Sequence, residues 1–154
     1  MKQSLLLLLL LITYYSAKAQ FTSVQIKVDG LTCSACSYAT QKSLLELDFI
    51  DSVKMDLNTN LAIVTFKPEK KPDFDFISQK VYDAGFSVGN LSAVFTFNAL
   101  QVTENTCFEH QGDVFHFINT KSQVINGPAT ILFIGKKFMN KKELKKWKAV
   151  KIEN

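Results

Sequence analysis

Residues 22 to 28 alternate between apolar and polar, with Val24, Ile26 and Val28 on one side, the period of a half-buried strand. After a short loop, Cys36, Thr40, Leu44 and Leu47 recur at three- and four-residue spacing and predict a helix of about three turns with a narrow apolar stripe. Alternation returns from Ile50 to Leu57 through Val53 and Met55, Asn58-Thr59-Asn60 supplies a turn, and Leu61 to Phe66 completes a hairpin. Lys67 to Pro72 reads as a loop. Asp73 can cap a second helix carrying Phe74, Ile77 and Val81 on one face; Gly85 ends it, and Phe86 to Val88 opens another strand. This βαββαβ order predicts an α+β, ferredoxin-like domain over residues 20–92, an antiparallel sheet of four strands with both helices on one face.

Residues 93–154 read as a small β-rich C-terminal unit with a Lys-rich end and no internal repeat of the first half. Ala93 to Val102 alternates through Phe95 and Phe97, Asp113 to Asn119 through Phe115 and Phe117, and Ala129 to Ile134 is continuously apolar. Asn126-Gly127-Pro128 predicts a turn, and Asn140 to Lys148 a short helix carrying Leu144 and Trp147. The period of two makes the Phe-rich strands sheet core rather than a ligand pocket.

The first 19 residues change the picture of where the chain works. Lys2, the apolar run Leu5 to Ile12 and the small-residue pattern Ala17-Lys18-Ala19 form a secretory signal peptide, with cleavage expected after Ala19. The apolar run is too short for a permanent span, and no later segment is apolar for long enough to cross a membrane. The expected product is exported, periplasmic or extracellular, and soluble.

Losing Lys2 and Lys18 lowers the formal charge from +4 to +2, and residues 136 to 154 hold eight Lys against two Glu, so the remainder is acidic on balance. That Lys-rich end suits a solvated helix face better than a membrane or acidic-partner patch. The chain has no Arg, the preferred side chain for bidentate phosphate and guanine contacts, which argues against nucleic-acid binding.

Three Cys do not make a disulfide framework. Cys33 and Cys36 form a CxxC pair between the first strand and the first helix, where backbone N–H groups favour thiolates and sulfur selects Cu(I), Zn(II) and other soft ions. Two rival readings remain: an oxidising compartment can close the pair into a disulfide, and a thiol-disulfide oxidoreductase can use it in redox chemistry. The second lacks flanking Trp and Pro and a thioredoxin-like order of elements. Cys107 and His110 have ligand spacing, with His116 six residues on and Met139 as a possible thioether, and so form a candidate second metal site. The simpler expectation is that Cys107 is a small core residue and both His are surface groups.

Gly30-Leu31-Thr32-Cys33-Ser34-Ala35-Cys36, the hairpin and Asp83-Ala84-Gly85-Phe86 resemble the heavy-metal-associated domain family over residues 22 to 92. The family includes copper chaperones, N-terminal modules of copper-pumping ATPases and periplasmic mercury-binding proteins. The resemblance implies a non-enzymatic metal-binding chaperone with Cys33 and Cys36 as ligands and Leu31, Thr32 and Phe86 as supporting shell. It further implies Cu(I) as cargo, with Hg(II) scavenging or Zn(II) binding through the same sulfurs, and transfer by ligand exchange to a metal-transporting membrane protein or another metal-binding protein. Leu31 stands where Met is usual. Phe86 takes the place where cytosolic chaperones carry Lys, so the resemblance implies a site that relies more on backbone dipoles than on a cation. Apart from the resemblance, the presence of a second unit allows a third reading, an adaptor whose C-terminal unit docks a transporter while the first domain delivers metal.

Overall fold

The computed structural model describes residues 20–148; the expected signal peptide and the last six residues, with Lys151 of the basic end, lie outside them. The elements run β1 (Gln20–Asp29), α1 (Ser34–Leu45), β2 (Ile50–Asp56), β3 (Leu61–Phe66), α2 (Phe74–Asp83), β4 (Ser87–Val102), β5 (Cys107–His110), β6 (Asp113–His116), β7 (Gln123–Leu132) and α3 (Lys141–Lys148). One antiparallel sheet has the order β2-β3-β1-β4-β7, and β5 and β6 pair as a separate hairpin. The first four strands in that order, with α1 and α2, are the ferredoxin-like βαββαβ arrangement, and β7 adds a fifth strand beyond β4.

Val24, Ile26, Val28, Val64, Leu91, Leu44, Ile77 and Val81 are fully buried, so the alternating strand faces and both helix stripes meet in one core. Asp73 caps α2 as expected, its carboxylate accepting the Phe76 N–H at 3.0 Å. In the β2–β3 turn, Asp56 Oδ1 accepts the Asn58 N–H at 2.9 Å, and Asn60 takes the left-handed conformation.

The end of α2 decides what faces the thiol loop. Gly85 adopts φ 89°, its N–H donates to the Tyr82 carbonyl at 2.8 Å, and the Phe86 N–H donates to Val81 at 3.1 Å. These two bonds form a Schellman cap, which turns the chain sharply and presents Phe86 beside Gly30, itself at φ 96°. A side chain at position 85 costs about 1–2 kcal/mol in that conformation. Gly85→Ala is therefore expected to lower the melting temperature, read by circular dichroism; an unchanged melt would refute this account of the cap.

The strands expected at 86–88 and 93–102 are a single strand, so the boundary drawn between residues 92 and 93 falls inside β4. The register of β4 against β1 shifts at Gly89 without breaking the ladder. Asn126-Gly127-Pro128 is likewise no turn. It lies within β7 as an irregularity, where Asn98 and Ala99 of β4 fall between the pairs Phe97↔Gly127 and Leu100↔Ile125, and the Ala99 N–H donates to Asn126 Oδ1 at 3.2 Å. Pro is tolerated there because β7 lies at the edge of the sheet.

Aromatic packing joins the later strands to the first sheet. Phe21 of β1 touches Phe74, Phe95, Phe115 and Phe133, with ring centroids 4.9, 4.7, 5.3 and 6.3 Å apart. The ion pairs Lys71–Asp113 and Lys137–Asp75 span the same junction but are exposed and contribute little. Asn140 caps α3 by accepting the Glu143 N–H at 3.0 Å, donates its backbone N–H to Gly89 and hydrogen-bonds Asp29, next to the thiol loop, at 2.8 Å. Among the described residues no helix is long and apolar enough to cross a membrane.

Candidate metal centre

The loop after β1 places its residues by simple physical preferences. Gly30 supplies the positive φ that turns the chain out of the sheet, and Leu31 is buried in the core as an anchor. Thr32 and Cys33 are then exposed, and Cys36 is half-buried one turn into α1. Cys33 is the N-cap of α1, with φ −152° and ψ 164°, and its Sγ accepts the Cys36 N–H at 3.4 Å. A sulfur thus stands where Ser, Thr, Asp or Asn normally satisfies a first-turn N–H.

The two Sγ atoms lie 2.8 Å apart and both thiols are free. Cys33 has its pKa lowered, first by the side-chain hydrogen bond with Cys36, then by the Cys36 backbone N–H and, to a smaller extent, the Ala35 N–H, against desolvation. The lowering therefore comes from hydrogen bonds. Phe86 is half-buried and within 3.6 Å of the position a Cβ on Gly30 would take. Aromatic surface therefore closes one side of the loop.

A lowered pKa keeps Cys33 deprotonated at pH values where an ordinary thiol, near 8.5, is protonated. Iodoacetamide should therefore modify Cys33 in the metal-free protein with a midpoint below the ordinary thiol range, followed by peptide mass spectrometry. A midpoint at or above that range would contradict the hydrogen-bonded arrangement.

The residues of the second candidate site are split between two faces. Cys107 and His116 are directly paired across the β5–β6 hairpin and are exposed, whereas His110 pairs with Asp113 and turns inward against Phe21 and Phe95, at 5.7 and 4.9 Å. Residues three apart share a face on a helix and take opposite faces on a strand. His110 has its pKa lowered, chiefly by burial and secondarily by Lys71, against an opposing effect of Asp113. Met139 is buried where it bridges to Asn90. No group of three or more Cys, His, Asp or Glu positioned to hold an ion occurs among the described residues. Sequence reasoning missed the Cys33 cap, because Cys is not a usual capping residue, and the Asp29–Asn140 bond, which joins residues far apart in the chain.

Residues 25–87 match the model of the heavy-metal-associated domain. The periplasmic component of the mercuric transport protein of Pseudomonas aeruginosa is 31% identical over 64 residues, which are 42% of this chain and 69% of that protein. A probable copper-exporting P-type ATPase of Archaeoglobus fulgidus is 28% identical over 78 residues, 49% of this chain but only 10% of the ATPase. Among solved structures, a copper binding domain from HMA7, a P-type ATPase, is 31% identical, covering 44% of this chain and 89% of that domain with a TM-score of 0.40. The matched segment holds the thiol loop, both helices of the first sheet and the hairpin between them, and this chain belongs to the heavy-metal-associated domain family.

Proposed function

We propose that the protein is an exported carrier that captures Cu(I) through Cys33 and Cys36 and relays it to a metal-transporting membrane protein or another metal-binding protein. The carrying observation is the free thiol pair at the start of α1, with its sulfurs in contact, and hydrogen bonds that lower the Cys33 pKa act in the same direction. The donor set fits a soft ion. With metal–sulfur bonds of about 2.3 Å, sulfurs about 3.8 Å apart suit a tetrahedral ion and about 4.6 Å a linear one. The observed 2.8 Å separation therefore has to open, which the exposed Cys33 side chain can do by rotation.

Backbone N–H groups at the helix start and the Phe86 ring then do different work. The N–H groups favour the negative charge that two thiolates leave around a monovalent ion, and the ring keeps water from one side. Two protein sulfurs leave the ion open to a third thiolate from a partner, so cargo can pass by ligand exchange without entering water. Leu31 and the Schellman cap hold the loop and the ring in place, and Thr32 stands exposed at the rim. Export rests on the leader-like first 19 residues, together with the periplasmic description of the mercuric relatives.

Those relatives also favour a second reading, in which the same sulfurs scavenge Hg(II). Competition titrations of the reduced protein against a Cu(I) chelator and against thiol-buffered Hg(II) separate the two. Retention of one equivalent of Cu(I) supports the first reading; retention of Hg(II) alone transfers the site to the second, and retention of neither rejects both. Turnover in an insulin-reduction assay would instead indicate a thiol-disulfide oxidoreductase.

A further inference from the structure

We propose that the C-terminal half carries a separate binding site for a single-chain amphiphile with an anionic head. Between the β5–β6 hairpin, β7 and α3 lies a cavity of about 730 Å³, walled mainly by Phe115, Phe117, Ile125, Ile131, Phe133 and Trp147. That volume is within the range of about 300–1,000 Å³ of small-molecule sites, and an aromatic wall with a few polar groups is the usual lining of one. None of the residues around it belongs to the thiol loop.

Charge selects the head of the ligand. Leu144, one turn back along α3 from Trp147, and Met139, just before the helix, floor a second recess of about 470 Å³ bordered by Lys136, Lys141 and Lys145. Lys137 is paired with Asp75 and Lys146 with Glu143, whereas these three ammonium groups have no ion-pair partner among the described residues. Leu144 and Trp147 are neighbours one turn apart on α3, so the proposed ligand lays its apolar tail against Trp147 and its acidic head among these lysines. Leu144 and Trp147 are half-buried and border these cavities, while Val114 and Leu132 of the larger one are exposed at its mouth. An added peptide strand fits less well, because Pro128 and the irregularity at Gly127 interrupt the regular ladder of β7.

Trp147 is the only tryptophan of the chain, so its emission reports on this cavity alone. Titrating the full-length, metal-free protein with oleate and with oleoyl lysophosphatidate, both below their micelle concentrations, is expected to shift Trp147 emission saturably. The two ligands distinguish a carboxylate head from a phosphate head, and oleyl alcohol should bind far more weakly than either. The double variant Lys141→Glu/Lys145→Glu should weaken oleate binding about tenfold, as reversing two exposed charge contacts implies, with an unchanged thermal melt. Cys33→Ser/Cys36→Ser should bind oleate as the parent does, which separates this site from the metal reading. The proposal is overturned if no saturable shift occurs, if oleyl alcohol and the charge-reversed variant bind as well as oleate and the parent, if only anionic vesicles change the emission, or if sedimentation shows a second copy of the chain burying Trp147.

Discussion

Replacing both Cys33 and Cys36 by Ser is expected to abolish stoichiometric binding of Cu(I) and Hg(II) while leaving the fold intact. The fold should survive because Cys33 is an N-cap, and Ser is among the best residues for that role. Its hydroxyl can accept the Cys36 backbone N–H that the sulfur accepts now. Binding should fail because a hydroxyl is a hard, neutral donor, and soft ions prefer thiolate. Groups that merely orient metal ligands are worth about 10–100-fold in affinity, so loss of both sulfurs should exceed that range. Metal content after chelator competition, beside a thermal melt of the same sample, checks both halves. A folded double variant that still held one equivalent of either ion would move the site elsewhere in the chain, and the proposed function would fail with it.

Truncating Phe95 to Ala should be the most destabilising of these changes, by about 3–5 kcal/mol, the cost typical of emptying a buried aromatic site. Phe95 is only 3% exposed, and its ring lies 4.7 Å from Phe21, 4.7 Å from Phe97, 5.3 Å from Phe108 and 4.9 Å from His110. It therefore joins β1, β4 and the β5–β6 hairpin. It also lies beyond residues 25–87, the segment shared with the family. Urea unfolding should show one transition displaced to lower denaturant. A near-parental midpoint, or loss of the C-terminal signal in a separate transition, would mean that the later strands fold apart from the first sheet.

The first sheet was legible because its signals are local. Alternation in β1 and β3, the stripe of Phe74, Ile77 and Val81, the Asp73 cap and the Gly85 stop all act within a few residues, and each appears where the pattern placed it. Gly89 and Asn126-Gly127-Pro128 are different. The same residues serve a turn or an irregularity in a continuing strand, and the choice depends on whether a partner strand is alongside. Here β1 and β7 lie against β4, and the chain continues. The Phe-rich strands hold sheet core at Phe95 and Phe97, while Phe115 and Phe117 also wall a cavity, which period two cannot distinguish.

The thiol pair follows the same division. Its spacing, its place between a strand and a helix and its soft-donor chemistry are written in consecutive residues, as is the family they indicate. That Cys33 caps α1, that Phe86 closes over Gly30 and that Cys107 and His110 part onto opposite faces were decided only by tertiary structure. The reason is that periodicity fixes which side of an element a residue occupies once the element type is known. Which surfaces then meet depends on strand pairing and aromatic burial between residues as distant as Phe21 and Phe133, and no local pattern encodes that.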